Sequence, residues 1–145
     1  MADLQTIILE NQKERERLLE VMEHLREEDF QRRLPNGWTL SVTLVHLAFW
    51  DLRQAMVLKS WMSEGGKFGT LDARTINDPL GLISESIPPK AAVKLAAEAA
   101  EKADGLVGKL SQTQVEELME MGQERTLRRC LHRRAHLDKI VQALE

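Results

Sequence analysis

Apolar residues recur at three- and four-residue spacing over nearly the whole chain, and no stretch of β-branched residues alternates long enough to build a sheet. That pattern restricts the fold to helices. A first helix is expected from Asp3 to about Arg32, with Asp3 as its N-cap and Leu4, Ile7, Ile8, Leu18, Leu19, Met22 and Leu25 as its apolar stripe. Pro35-Asn36-Gly37 ends it. A second helix starts at Thr39 or Ser41, either of which can cap it, and runs to about Met62. Pro89 suits the first turn of a third helix, Lys90–Lys109, rich in alanine. Ser111 caps a short helix through Met121, Gly122 breaks it, and a last helix covers about Glu124–Leu144. The stretch from Glu64 to Pro89 is long for a helix–helix connection. In it Asn77-Asp78-Pro79 reads as a turn, with a helical turn near Leu80–Ser84. Four helices around one core make an all-α, four-helix-bundle reading.

With 145 residues the chain, 1–145, is expected to form a single domain. Its 43% apolar and 30% charged residues fit a globular protein, and no window approaches ~20 consecutive apolar residues, so no membrane partner is expected. A single cysteine excludes an internal disulfide framework and fits a reducing, cytoplasmic compartment. Net charge is −3, so no bulk positive field favours nucleic acid. Charge is uneven: residues 1–33 carry 9 acids and 6 bases, residues 122–145 carry 6 bases and 3 acids. The basic end is expected to pair with the acidic first helix.

Three histidines carry the chemistry. His132 and His136 stand four apart and share one helix face, a spacing that lets both imidazoles reach one metal ion. Arg133 occupies the position where a zincin would need glutamate, which removes the protease reading. His46 lies in the core stripe of the second helix, in line with Val42 and Phe49. Burying several imidazoles without a common partner costs stability at each, and a shared metal removes that cost. Three protein ligands with an open position describe a catalytic metal. The bland alternative is three core histidines with separate hydrogen bonds. His24, beside Glu23, reads as a surface residue.

The run Asn36-Gly37-Trp38-Thr39-Leu40-Ser41-Val42, followed by Val45-His46-Leu47-Ala48-Phe49-Trp50-Asp51, resembles the second-helix signature of the DinB-like superfamily. The segment Arg129–Ile140 is similar to that family's last helix. The resemblance covers essentially the whole chain. It implies a bundle of up-down-down-up topology with a long connection between helices 2 and 3. It implies a divalent metal held by His46, His132 and His136. It also implies chemistry like that of bacillithiol- or mycothiol-dependent S-transferases, and a homodimer.

Three imidazoles suit zinc, nickel, iron or copper, with zinc and nickel expected first and iron after them. The expected activity is thiol S-transfer to a small electrophile, with a low-molecular-weight thiol as cosubstrate. Metal-dependent hydrolysis is the second reading, and a non-catalytic helical binding or stress-response protein the third. Trp50 could wall the pocket or simply pack; Arg53 could bind a substrate carboxylate or pair at the rim. Asn77 could reach the site or serve its turn, and Arg129 could face the histidines or be solvated. Cys130, two residues before His132, points away from it and reads as packing.

Overall fold

The computed structural model describes residues 2–145. Among them the chain is all-helical: α1 (Leu4–Glu23), a 3-10 turn (Glu27–Gln31), α2 (Leu40–Glu64), α3 (Ala73–Ser84), α4 (Pro89–Val107), α5 (Gln112–Glu120), α6 (Glu124–Leu127) and α7 (Arg129–Leu144). The caps explain most starts. Asp3, Thr39 and Ser111 accept the backbone N–H of Thr6, Val42 and Gln114, three residues on in each case. Gly65 and Gly122 end α2 and the turn after α5 with φ of +66° and +75°, where a side chain would be strained.

Each of the long helices α1, α2, α4 and α7 packs against two of the others: α1 on α4 and α7, α2 on α4 and α7. The α2–α4 seam is the closest, because α4 offers it alanine: Ala92, Ala96, Ala99, Ala100 and Ala103 are all buried. One apolar cluster joins Leu18 and Met22, Leu44 and Leu47, Ala96 and Ala100, and Leu137 and Ile140, and so draws on all four helices. A second joins Ile7, Leu58, Val107, Val115, Leu118 and Leu127. Between the two in the sequence of every long helix lie polar residues: the buried Asn11 and Glu14 on α1, Asp51 on α2 and Arg129 and Arg133 on α7, and the part-buried Asp104 on α4. The core is two apolar blocks separated by a charged layer.

Three expected boundaries are corrected. The first helix stops at Glu23, not Arg32. The chain turns because the Asp29 carboxylate accepts the Arg26 backbone N–H at 2.9 Å, closing a 3-10 turn instead. The long connection holds a twelve-residue helix, α3, and Asn77-Asp78-Pro79 lies inside it rather than forming a turn. Pro79 forfeits one helix hydrogen bond, but packing compensates. Ile76, Asn77 and Leu80 face inward, and Gly81 brings the backbone against the Trp38 indole. The last helix is broken at Arg128, whose φ and ψ of −95° and 72° are not helical. Asn11 fills the break: its amide donates to the Leu127 carbonyl at 2.8 Å and accepts from the Cys130 N–H at 2.9 Å. The basic end meets α1 as expected, with Arg128–Glu10 and Arg134–Glu14 each at 3.1 Å. No helix is long and apolar enough to cross a membrane among the described residues.

Candidate metal centre

Local sequence fixes where α2 begins, and so where His46 points. Gly37, at φ +90°, makes the reversal, and Asn36 Oδ1 accepts the Trp38 N–H at 3.0 Å. The Thr39 cap then starts a helix whose residues Leu40 to Ala48 are all buried, His46 among them. On the other side, Arg133 anchors α7. Its side chain is 0% exposed and donates to Asp51, Asp104 and the carbonyls of Asn11 and Ala100. Asp51 also accepts from Arg129 Nε at 2.8 Å. With α7 held in this way, His132 and His136 turn toward His46.

The three rings meet. His46 and His132 approach Nε2 to Nε2 at 3.0 Å, and the ring centroids of the three pairs lie 4.7–4.9 Å apart. One nitrogen from each falls within 4.8 Å of the others. Tetrahedral ligand nitrogens around zinc stand about 3.3 Å apart, given a Zn–N bond of about 2.0–2.1 Å. The separations bracket that value, so small ring rotations would bring the set to a metal. All three imidazoles are held neutral. Burial first, then the cost of protonating it beside His136 and the Arg129 guanidinium, pushes His46 down to about 4. Burial and the Arg129 guanidinium push His132 to about 2, and burial with Lys139 lowers His136. Neutral imidazole is the ligand form. His46 Nδ1 is buried with no hydrogen-bond partner, so Nε2, the atom turned toward His132, is the one it offers to a ligand. The donor set fits a divalent ion.

The histidines lie on one side of a pocket of about 510 Å³, with Trp38, Trp50, Asn77, Arg125 and Arg129 among its other walls. Trp38 lies over His46 at 4.9 Å between centroids. Trp50 lines the pocket, and its indole N–H donates to Asn77 Oδ1 at 2.8 Å, tying α3 to α2. Arg129 lines it too and is buried, not solvated; its Nη2 stands 3.4 Å from His132 Nδ1. Arg53 lies outside this lining, with its nearest polar contact at Gln54 Oε1, 3.5 Å away. Cys130 is buried and its thiol is pushed up, first by burial and then by Glu10. His24 is exposed, its Nδ1 2.9 Å from the Glu20 carbonyl. A larger cleft of about 580 Å³ on the α2–α4 seam, walled by lysines and glutamates beside Met56, holds no imidazole or thiol.

Sequence reasoning missed Trp38 and Arg125 as pocket residues, and the Asp51–Arg133–Asp104 layer beneath. Trp38 precedes its helix, so periodicity could not place it. The layer had a signal: single charges stand inside otherwise apolar faces at Asp51 and Asp104. No family model matches the chain, no curated protein is significantly similar to it, and no solved structure matches it.

Proposed function

We propose that this chain is a metal-dependent enzyme of the DinB-like superfamily, a four-helix bundle of up-down-down-up topology. Helix direction supports the topology. α1 and α7 run from the Ile7–Leu127 block toward the Leu18–Ile140 block, and α2 and α4 run the opposite way. The observation that carries the function is the convergence of His46, His132 and His136 beside an open pocket. A divalent ion held there would lower the pKa of a coordinated thiol or water and so supply a nucleophile at neutral pH.

The chain's own residues do the rest. The three histidines hold the ion through neutral nitrogens. Trp38 and Trp50 give apolar walls that limit water. Asp51 and Arg133 fix α7 against α2 so that the ligand geometry is set before a ligand arrives. We favour thiol transfer over hydrolysis on the resemblance to thiol-dependent S-transferases, and the pocket of about 510 Å³ has room for a small-molecule substrate.

Elemental mass spectrometry of tag-free protein tests the metal. About one equivalent of zinc, nickel or iron in wild type, lost in His46→Ala and His132→Ala, is the expected result. No metal after reconstitution at neutral pH overturns the reading. Metal-loaded protein is then assayed with small thiols and 1-chloro-2,4-dinitrobenzene. Thiol-dependent turnover supports transfer, and turnover of esters alone would replace it by hydrolysis.

A further inference from the structure

The polar groups around the pocket are unusually one-sided. Two arginines and three histidines line it, and no carboxylate does, among the described residues. Arg129 spends its charge on Asp51, and the nearby Arg128 spends its own on Glu124 and Glu10. Arg125 forms no ion pair among the described residues, and its side chain is exposed beside the opening. Asn77 adds to the bias. An indole N–H can only donate, so Trp50 holds the Asn77 oxygen and leaves the amide NH2 as the free end. Free donors and a free cation thus face a space with apolar Trp38 and Trp50 walls.

We propose that the pocket takes a small organic anion, with Arg125 gripping its carboxylate or phosphate at the mouth while the rest of the ligand reaches the histidines. This rests on reading the histidine pocket as the active site. A carboxylate and a phosphate share the feature that matters: charged oxygens with no proton to donate, matched by a planar guanidinium. A neutral ligand of the same shape would leave Arg125 unused. A cationic one would meet it as a like charge.

The test is a titration of the full chain, treated with chelator and separately loaded with zinc, against phenylacetate, phenyl phosphate and the neutral isostere phenylacetamide. The indole N–H signals of Trp38 and Trp50 report occupancy by NMR. Trp61, packed on the opposite apolar cluster, is the control. The expected result is that the anions bind at least about fivefold tighter than the amide with or without zinc. Arg125→Gln abolishes the preference, and Arg125→Lys restores part of it. Whichever of the two anions binds tighter names the ligand group. A preference seen only with zinc, or surviving Arg125→Gln, overturns the proposal, because the ion alone would then be recognising the anion. Equal binding of amide and anions also overturns it. Metal content decides the metalloenzyme reading separately: anion selection by a chain that never binds metal would keep this proposal and remove that one.

Discussion

His46 and His132 face each other Nε2 to Nε2 at 3.0 Å, across 86 positions of sequence, and their protons can be assigned from their neighbours. A guanidinium only donates, so Arg129 Nη2, 3.4 Å from His132 Nδ1, requires a lone pair there. The His132 proton then sits on Nε2 and is donated to His46 Nε2. His46 keeps its own proton on Nδ1, the buried atom without a partner. An ion held through both Nε2 atoms would require the His132 proton on Nδ1, toward Arg129. Nitrogen-15 NMR of metal-free protein is therefore expected to show His132 as the Nε2–H tautomer and His46 as the Nδ1–H tautomer. Zinc converts His132 to Nδ1–H. If His132 is already Nδ1–H without metal, the assignment fails.

The same contact bears on affinity. Metal-bound histidines usually donate their outer N–H to a carboxylate or carbonyl, and losing such a partner costs roughly 10–100-fold in metal affinity. Here His132 turns that atom to a guanidinium and His46 leaves it unpaired. Competition with a graded series of chelators is expected to place zinc binding weaker, by about that factor, than in three-histidine sites with carboxylate partners. Equal affinity would show that the rings rotate away from Arg129 on binding.

Metal-free protein is expected to lose stability as pH falls from about 6.5 to 5. In the unfolded chain each imidazole takes a proton near pH 6.5. In the fold His46 is pushed down to about 4 and His132 to about 2, chiefly by burial, so both stay neutral. Lowered values mean that the stability is fully present above 6.5 and is lost as the unfolded state gains protons the native state refuses. Asp104, raised by burial, works in the opposite direction near the carboxylate range, so the window is read above it. Urea unfolding at pH 7.5, 6.5, 5.5 and 5.0 measures the slope. His132→Gln should flatten it, and a flat wild-type profile would count against neutral buried imidazoles.

Asp51 holds two buried arginines at once: Arg129 Nε at 2.8 Å and Arg133 Nη2 at 3.2 Å, with its own side chain 2% exposed. Asp51→Asn keeps the shape and removes the charge. Arg133 then keeps the part-buried Asp104, and Arg129 is left with no acidic partner among the described residues. Breaking a buried pair on one side costs about 3–5 kcal/mol. Urea unfolding should show that loss, while a loss below about 1 kcal/mol would mean that water enters the layer.

Much of this was legible in the sequence, and the failures have a common cause. Thr39 and Ser111 announced their helices because a cap acts over three residues. His46, His132 and His136 could be grouped because spacing places two of them on one face and a core stripe holds the third. What sequence missed depends on distant partners. The break at Arg128 exists because Asn11, 117 positions earlier, takes up the freed backbone groups on either side of it. Pro79 sits inside a helix because Trp38 and Trp50 supply a surface for α3 to pack on. Local rules favoured a turn there, and tertiary contacts prevailed.

α3 is fastened over the pocket at Asn77, and its outer side exposes Leu82 and Ile83. Its other tie is the close approach of Gly81 to Trp38, where an added Cβ would lie 3.1 Å from Nε1. Asn77→Ala removes the acceptor for Trp50 and leaves the packing in place. A neutral hydrogen bond of this kind contributes about 1 kcal/mol. That is little against the stability of the whole chain and much against that of a twelve-residue helix packed mainly on α2. Hydrogen exchange should therefore speed several-fold across 73–84 while α1, α4 and α7 keep their protection. The Trp50 indole N–H signal should move toward its solvent position. Uniform acceleration throughout the chain would mean that α3 is part of the global fold and opens only with it. Unchanged exchange in α3 would place its anchorage at Gly81 and Trp38 instead.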